Sequence, residues 1–261
     1  MLKKIISLIK PKLLMAPVLV FFMGVPLIIS TRIIFYIYHP EYFINRLPSI
    51  SKTAAYTPGS YLFYPGMTFV SLCILVTWTY IYQLNKDRIS HFSTDDNNHL
   101  LLHLTNSLAT ILGVSAGIFL GFLSIISLET DDPLHILLSI LFFSCLILSF
   151  IFDTLCVFKI KEVSALNDIK IGNLSLNGKP YICVIITLTA SFFLFMYLAK
   201  DSTIFSDRYF AQQLYIAAEY STALLAFSYS ALYSPEINNH FSKTKNVNNN
   251  VDILDNSTNY I

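Results

Sequence analysis

Six apolar stretches, each close to the length of a bilayer crossing, dominate this chain of 261 residues. About 20 apolar residues in a helix cross a hydrocarbon core of roughly 30 Å, and lipid does not tolerate unpaired backbone groups. The sequence therefore predicts an all-α polytopic membrane protein, a bundle of six transmembrane helices. The expected spans are residues 13–37, 62–82, 105–128, 134–158, 181–198 and 214–232.

The composition agrees with this fold class and excludes several kinds of function. Hydrophobic residues make up 54% of the chain and charged residues 13%, which is too apolar for a typical soluble domain. The net charge of +1 gives no reason to expect nucleic acid as a partner. All four cysteines fall inside expected spans, and neither Cys nor His shows zinc-type spacing. We therefore expect no metal and no other cofactor.

The distribution of lysine and arginine predicts the orientation, because short cytosolic loops carry the excess of positive charge. With the N-terminus in the cytosol, that side receives twelve basic residues and the other side four. Both termini are therefore expected in the cytosol. The first apolar stretch is too long for a cleaved signal peptide and is expected to be a retained helix. Residues 1–236 form the predicted transmembrane domain, and the Asn-rich residues 237–261 a disordered cytosolic tail.

Polar side chains at membrane depth fall into two layers. Arg32, His135 and Glu219 lie near the non-cytosolic face, and Asn106 and Asp153 lie near the cytosolic face. Because polar groups in lipid need partners, each layer is either a binding site or a set of hydrogen bonds between helices. For the non-cytosolic layer the functional interpretation is a pocket for a lipid head group. An Arg32–Glu219 contact is one specific expectation.

Glycines recur at steps of four in the third span, at Gly113, Gly117 and Gly121. This spacing places them nearly on one helix face and permits close approach of another helix. The partner helix could belong to the same chain or to a second copy in a homo-oligomer. A groove for a lipid chain is a third interpretation.

The segment between the first two spans, residues 47–63, is bounded by Pro48 and Pro58. Proline blocks regular helix, so the segment is predicted to be a shaped loop. Ser49 and Ser51 could donate hydrogen bonds to a phosphate or a sugar. They could also cap the helix that follows.

This segment resembles the signature loop of the family that contains the damage-regulated autophagy modulators (DRAM), the related plasma-membrane proteins of the Sfk type and a Golgi factor acting on GPI anchors. The matching residues are Pro48, Ile50-Ser51-Lys52, Ala55, Pro58 and Leu62-Phe63. Further matches are Asn106 with Leu112-Gly113 and Gly117, His135, and Ala218-Glu219-Tyr220. Three positions depart from the family pattern, at Ala54-Ala55, Gly59 and Tyr220.

The resemblance implies a DRAM-like, non-enzymatic regulator of autophagy, or of lipid organisation in the lysosomal, endosomal or plasma membrane. The alternative is a GPI-anchor or other lipid-remodelling factor of the ER or Golgi, with Ser49, Ser51, His135 and Glu219 as its head-group site. A small-molecule transporter is the third candidate, and the absence of a visible inverted repeat speaks against it. No nucleophile elbow or paired-carboxylate motif is present in the sequence, so we expect no enzyme.

Membrane lipids are the expected partners. Residues 159–180 contain four lysines and are predicted to be a cytosolic loop that contacts cytosolic proteins or anionic lipid. The alternative is that these lysines only enforce the topology.

Overall fold

The computed structural model describes residues 14–42, 47–92, 96–166, 174–199 and 207–238. Within these ranges the regular structure is helical and there is no strand, so the predicted all-α class is confirmed. The helices are α1 Ala16–Tyr38, α2 Ile50–Ala55, α3 Gly59–Phe92, α4 Asp96–Leu123, α5 Asp132–Leu166, α6 Leu174–Ala199 and α7 Arg208–Ala231.

The six long helices form a closed ring in chain order. After α1, which packs on α3, each long helix packs against the next, and α7 packs back against α1. The short helix α2 lies across one end of the ring, where it contacts α1, α3 and α7. We refer to this as the α2 end. It is the side that the charge distribution predicts to be non-cytosolic.

Five helices, α1, α3, α4, α5 and α6, are long and apolar enough to cross a membrane. Helix α7 has 24 residues and a length of about 36 Å, but it does not meet the same threshold of apolarity. It carries Gln212, Gln213 and Glu219, which lower its hydropathy. The sixth span and the cytosolic position of both termini therefore stay predictions.

The helices extend beyond most of the apolar stretches that predict them. Helix α3 continues to Phe92 and α5 to Leu166, so much of the expected loops 83–99 and 159–180 is helical. A helix does not end where it leaves the apolar layer, because Lys, Glu and similar residues sustain it in water. Helix α4 instead ends five residues early, where the Ser124 hydroxyl donates to the Gly121 carbonyl in a turn.

The glycine face of α4 packs against α3 of the same chain. A Cβ atom added at Gly113 would lie 2.1 Å from the ring of Trp78, and one at Gly117 would lie 2.7 Å from Leu75. At Gly121 the nearest atom would be the Ser71 hydroxyl, at 3.0 Å. Of the three interpretations of the glycine pattern, the structure therefore shows packing against a helix of the same chain. A homo-oligomer that uses another face stays a prediction.

The helical turn 234–238 follows α7, and its Ile237 is fully buried. The predicted tail therefore starts with two residues, Ile237 and Asn238, that belong to the described fold. Residues 239–261 lie outside the described residues, so their disorder stays a prediction.

Candidate functional site

Helix α2 is held in place by one residue of its own segment and one residue of α7. The Ser49 hydroxyl caps the helix by accepting a hydrogen bond from the Lys52 N–H at 3.1 Å. The buried Glu219 carboxylate accepts from the Ile50 N–H, also at 3.1 Å. The expectation of a loop without helix between Pro48 and Pro58 is therefore wrong. The residues between the two prolines are free to form a helix, and a carboxylate at its N-terminus is favourable.

Ser51 and His135 form a hydrogen-bonded pair between α2 and the start of α5. The His135 Nε2 atom lies 3.0 Å from Ser51 Oγ, and its Nδ1 atom lies 2.6 Å from the carbonyl oxygen of Ile126. A carbonyl oxygen only accepts, so Nδ1 carries the proton in this contact. In the neutral imidazole Nε2 is then an acceptor, and the Ser51 hydroxyl donates to it.

An Arg32–Glu219 contact is the expectation, and the structure describes no ion pair between these two side chains. The Arg32 guanidinium instead lies 4.6 Å from the ring centre of Tyr220, which is the residue after Glu219. Lys52 is held in a similar way, with its ammonium 4.5 Å from the ring centre of Tyr42. Arg32 and Lys52 are thus both bound by aromatic faces.

An aromatic cluster closes the loop beside α2. The hydroxyls of Tyr42 and Tyr56 are 3.2 Å apart, and this hydrogen bond, together with burial, raises the pKa of Tyr56 to about 12. His39 packs on both rings, at centroid distances of 6.2 Å and 5.2 Å. Because Tyr56 stays protonated at neutral pH, this cluster adds no negative charge to the α2 end.

A cavity of about 330 Å³ opens at the α2 end and extends into the bundle. Along α7 its lining extends from Gln212 to Phe227, which corresponds to about 22 Å of helix. The polar groups toward the helix ends that meet α2 are Ser49, Ser51, Asp132, His135, Gln212 and Glu219. The deeper lining is largely apolar and includes Phe63, Met67, Phe142, Phe143, Phe193 and Phe227. The cavity therefore combines a polar mouth with an apolar interior.

Asp153 is the centre of a second polar cluster, at the opposite end of the bundle. Its fully buried carboxylate accepts hydrogen bonds from Asn85 at 3.1 Å, from Tyr229 at 2.7 Å and from Tyr233. Asn85 also donates to Asn106 at 3.3 Å, which joins α3, α4 and α5. The two predicted residues Asn106 and Asp153 thus belong to one network that connects helices, and neither lines the cavity at the α2 end.

Glu236 connects the helical turn 234–238 to this cluster by accepting from two cations. Its carboxylate oxygens lie 2.9 Å from the Arg88 guanidinium and 2.9 Å from the Lys179 ammonium. Lys179 is fully buried, with its ammonium 3.1 Å from the ring centre of Tyr233. Lys179 is therefore not part of an exposed cytosolic surface, and the expectation that residues 159–180 contact partners stays a prediction. Lys170 lies outside the described residues.

Sequence reasoning missed Asn85, Arg88, Lys179, Tyr229, Tyr233 and Glu236 as members of this cluster. A signal was available in Tyr229 and Tyr233, because a spacing of four residues at the end of a predicted helix places two side chains on one side, here in the same layer as Asp153. The charges of Lys179 and Glu236 gave no such signal, because both follow or precede apolar stretches and resemble ordinary loop residues.

The exterior of the bundle matches a lipid environment. Large apolar side chains that are more than 60% exposed project outward from α1, α4 and α6, among them Phe22, Ile111, Leu188 and Leu198. Within the described ranges, no three His, Cys, Asp or Glu side chains are grouped so as to hold a metal ion. A helical bundle with an apolar exterior and buried polar clusters is an integral, multi-pass membrane protein.

The sequence assigns this membrane protein to a family. Residues 13–240 match the family described as Frag1/DRAM/Sfk1/Cwh43P N-terminal domain. The chain therefore belongs to this family, as the resemblance in its signature loop implies. No curated protein and no solved structure matches the chain.

Proposed function

We propose that this protein binds a membrane lipid in the cavity at the α2 end, and that it acts without catalysis on the lipid organisation of its membrane. The observation that supports this proposal is a cavity in which Ser51, His135 and Glu219 form the polar mouth of an apolar channel. A lipid needs both parts, because its head group is polar and its chains are apolar.

The dimensions of the cavity support a lipid over a small polar solute. Its volume of about 330 Å³ lies in the range of ligand sites, and its length of about 22 Å along α7 suits an extended apolar chain. Away from the mouth most lining residues are aromatic or aliphatic, and the hydroxyls of Ser124, Ser139 and Ser144 are the main polar groups among them. The transporter interpretation therefore has less support than lipid binding.

Filling the cavity tests the proposal. Ala190 lines the cavity on α6 and is 4% exposed, so Ala190→Phe places a ring in the channel. We expect the purified variant to carry at least fivefold less bound lipid, measured by mass spectrometry of the protein in detergent. The control is Leu188→Phe, two residues away and 66% exposed, which should retain the wild-type lipid content.

Equal lipid content in the two variants would contradict the proposal, provided that Ala190→Phe elutes as a single species. If the larger ring prevents folding, Ala223→Leu supplies a smaller obstruction at another lining position. The same loss of lipid is expected there.

A second candidate function, lipid remodelling, is favoured by the Ser51–His135 hydrogen bond of 3.0 Å. In an acyl transfer, Ser51 Oγ would attack the carbonyl carbon of a lipid ester while its proton moves to His135 Nε2. His135 would return that proton to the departing alcohol as its bond to the acyl group breaks. Water or an acceptor hydroxyl would then remove the acyl group from Ser51.

A serine-directed fluorophosphonate probe tests this candidate. If Ser51 is a nucleophile, the probe labels the folded protein, and Ser51→Ala and His135→Gln each abolish the label. Ser139 lines the same cavity and donates its hydroxyl to a backbone carbonyl, so Ser139→Ala should leave the label unchanged. An unlabelled wild-type protein would refute the remodelling role and leave lipid binding intact.

The cellular role that we infer from the family is regulation of autophagy or of membrane lipid composition, in the lysosomal, endosomal or plasma membrane. The organelle in which the protein resides distinguishes this role from lipid remodelling. A tagged chain in lysosomes favours the regulator, and a tagged chain in the Golgi favours the remodelling factor.

A further inference from the structure

We infer that the lipid bound in this cavity has an ammonium-bearing, zwitterionic head group, of the choline or ethanolamine class. This inference rests on the proposed lipid binding and names the class of lipid. It follows from the charges and the aromatic groups around the cavity.

The charge of the lining is the first observation. Two carboxylic acids, Asp132 and Glu219, line the cavity, and none of its described lining residues is a lysine or an arginine. Of the described basic residues at this end, Arg32 and Lys52 lie over the rings of Tyr220 and Tyr42, and Arg208, at the start of α7, is exposed and outside the lining. An anionic head group would therefore meet acidic side chains without a cation among the lining residues, whereas a positive group meets complementary charge.

The aromatic wall beside Glu219 is the second observation. Tyr215 stacks on Phe193 with ring centres 5.3 Å apart and planes at 22°, and Tyr197 lies 6.0 Å from Tyr215. All three rings line the cavity, and Glu219 follows Tyr215 by four residues on α7, on the same helix face. Aromatic faces next to a carboxylate are a recurring arrangement for binding substituted ammonium groups.

The mouth also offers a partner for the phosphate of a zwitterionic lipid. Gln212 lines the same opening and supplies an amide donor, whereas the single hydroxyl proton of Ser51 is directed to His135. A neutral donor suits a phosphate whose charge is balanced by its own ammonium group. A free anionic phosphate would have no such compensation here.

Binding of defined lipids to the full chain tests the inference. The protein is delipidated in detergent and titrated with phosphatidylcholine, phosphatidylethanolamine and phosphatidylmethanol of identical acyl chains, with native mass spectrometry as the readout. Phosphatidylmethanol keeps the phosphate and lacks the ammonium. We expect the two ammonium-bearing lipids to bind about tenfold more tightly than phosphatidylmethanol, and free choline to bind far more weakly than phosphatidylcholine.

Two variants and a control show which residues cause the preference for ammonium-bearing lipids. Tyr215→Leu removes an aromatic face, and Glu219→Gln removes the charge while keeping an oxygen that accepts from the Ile50 N–H. Each should reduce the preference for phosphatidylcholine over phosphatidylmethanol about fivefold or more. Tyr209→Leu, on the same helix but 54% exposed and outside the lining, should leave it unchanged.

The titrations distinguish a wrong head-group class from a failure of lipid binding itself. If all three lipids bind equally, or phosphatidylmethanol binds best, the head-group inference is wrong and the proposed function stands. A preference that survives both Tyr215→Leu and Glu219→Gln also overturns the inference. If no lipid binds, the proposed function fails and the inference fails with it.

Discussion

Replacing Asp153 with alanine is expected to lower the free energy of unfolding by about 3–5 kcal/mol, because buried polar groups that lose a charged partner are costly. The carboxylate accepts from Asn85, Tyr229 and Tyr233, and it is fully buried. Alanine leaves these donors without their acceptor and opens a void between α5 and the end of α7. The measurement is reversible unfolding in mixed detergent micelles, followed by loss of helix signal.

Two further variants show whether the carboxylate oxygens of Asp153 cause the expected loss of stability. Asp153→Asn retains one carbonyl oxygen, so its loss should be smaller than that of Asp153→Ala. Glu162→Ala removes an acid that is 52% exposed and paired with Lys159, and its effect should stay within about 0.5 kcal/mol. If Asp153→Ala and Glu162→Ala unfold alike, the cluster does not stabilise the bundle.

Gly113→Ala is expected to destabilise the protein by about 1–3 kcal/mol, although alanine is the better helix former. The new methyl group would lie 2.1 Å from the ring of Trp78. Trp78 is 1% exposed and stacks on Phe150 with ring centres 6.1 Å apart, so it has little space into which to move. Helices α3 and α4 must then separate, and the temperature at which the protein loses its single elution peak should fall.

Gly178→Ala is the matched control for this change. Gly178 also lies in a helix, α6, and a Cβ atom there has no atom within 4 Å. The substitution should therefore be neutral or stabilising by up to about 1 kcal/mol, through helix propensity alone. Equal behaviour of the two alanine variants would show that the contact between Gly113 and Trp78 is not close in the folded protein.

The two ends of the bundle have different roles. The cluster around Asp153 joins α3, α4, α5 and the end of α7 at one end. At the other end, the cavity lies among the helices, and Ser51 of α2 and Glu219 of α7 form part of its mouth. A bundle held firmly at one end can keep a ligand space open at the other, which is why the structural and the binding roles fall to different residues.

The amino-acid sequence by itself determined the fold class, the approximate position of the helices and the family. Hydropathy is a local property that adds along the chain, and lipid leaves helices as the main solution, so apolar stretches predict spans directly. The sequence also identified His135, Ser51 and Glu219 as candidate residues, through their depth in the membrane and the resemblance of the signature loop. It placed Asn106 and Asp153 in one layer, and in the structure Asn85 donates hydrogen bonds to both.

Only the tertiary structure decided which of these polar groups meet. Glu219 contacts Ile50, 169 positions away in the chain, and Arg32 lies over the ring of Tyr220. Lys179 has the sequence context of a loop residue but is fully buried against Glu236. Such contacts depend on how each helix is rotated about its axis and how closely it approaches its neighbours. Hydropathy and spacing within one segment carry no information on either quantity, because both are set by packing among all the helices together.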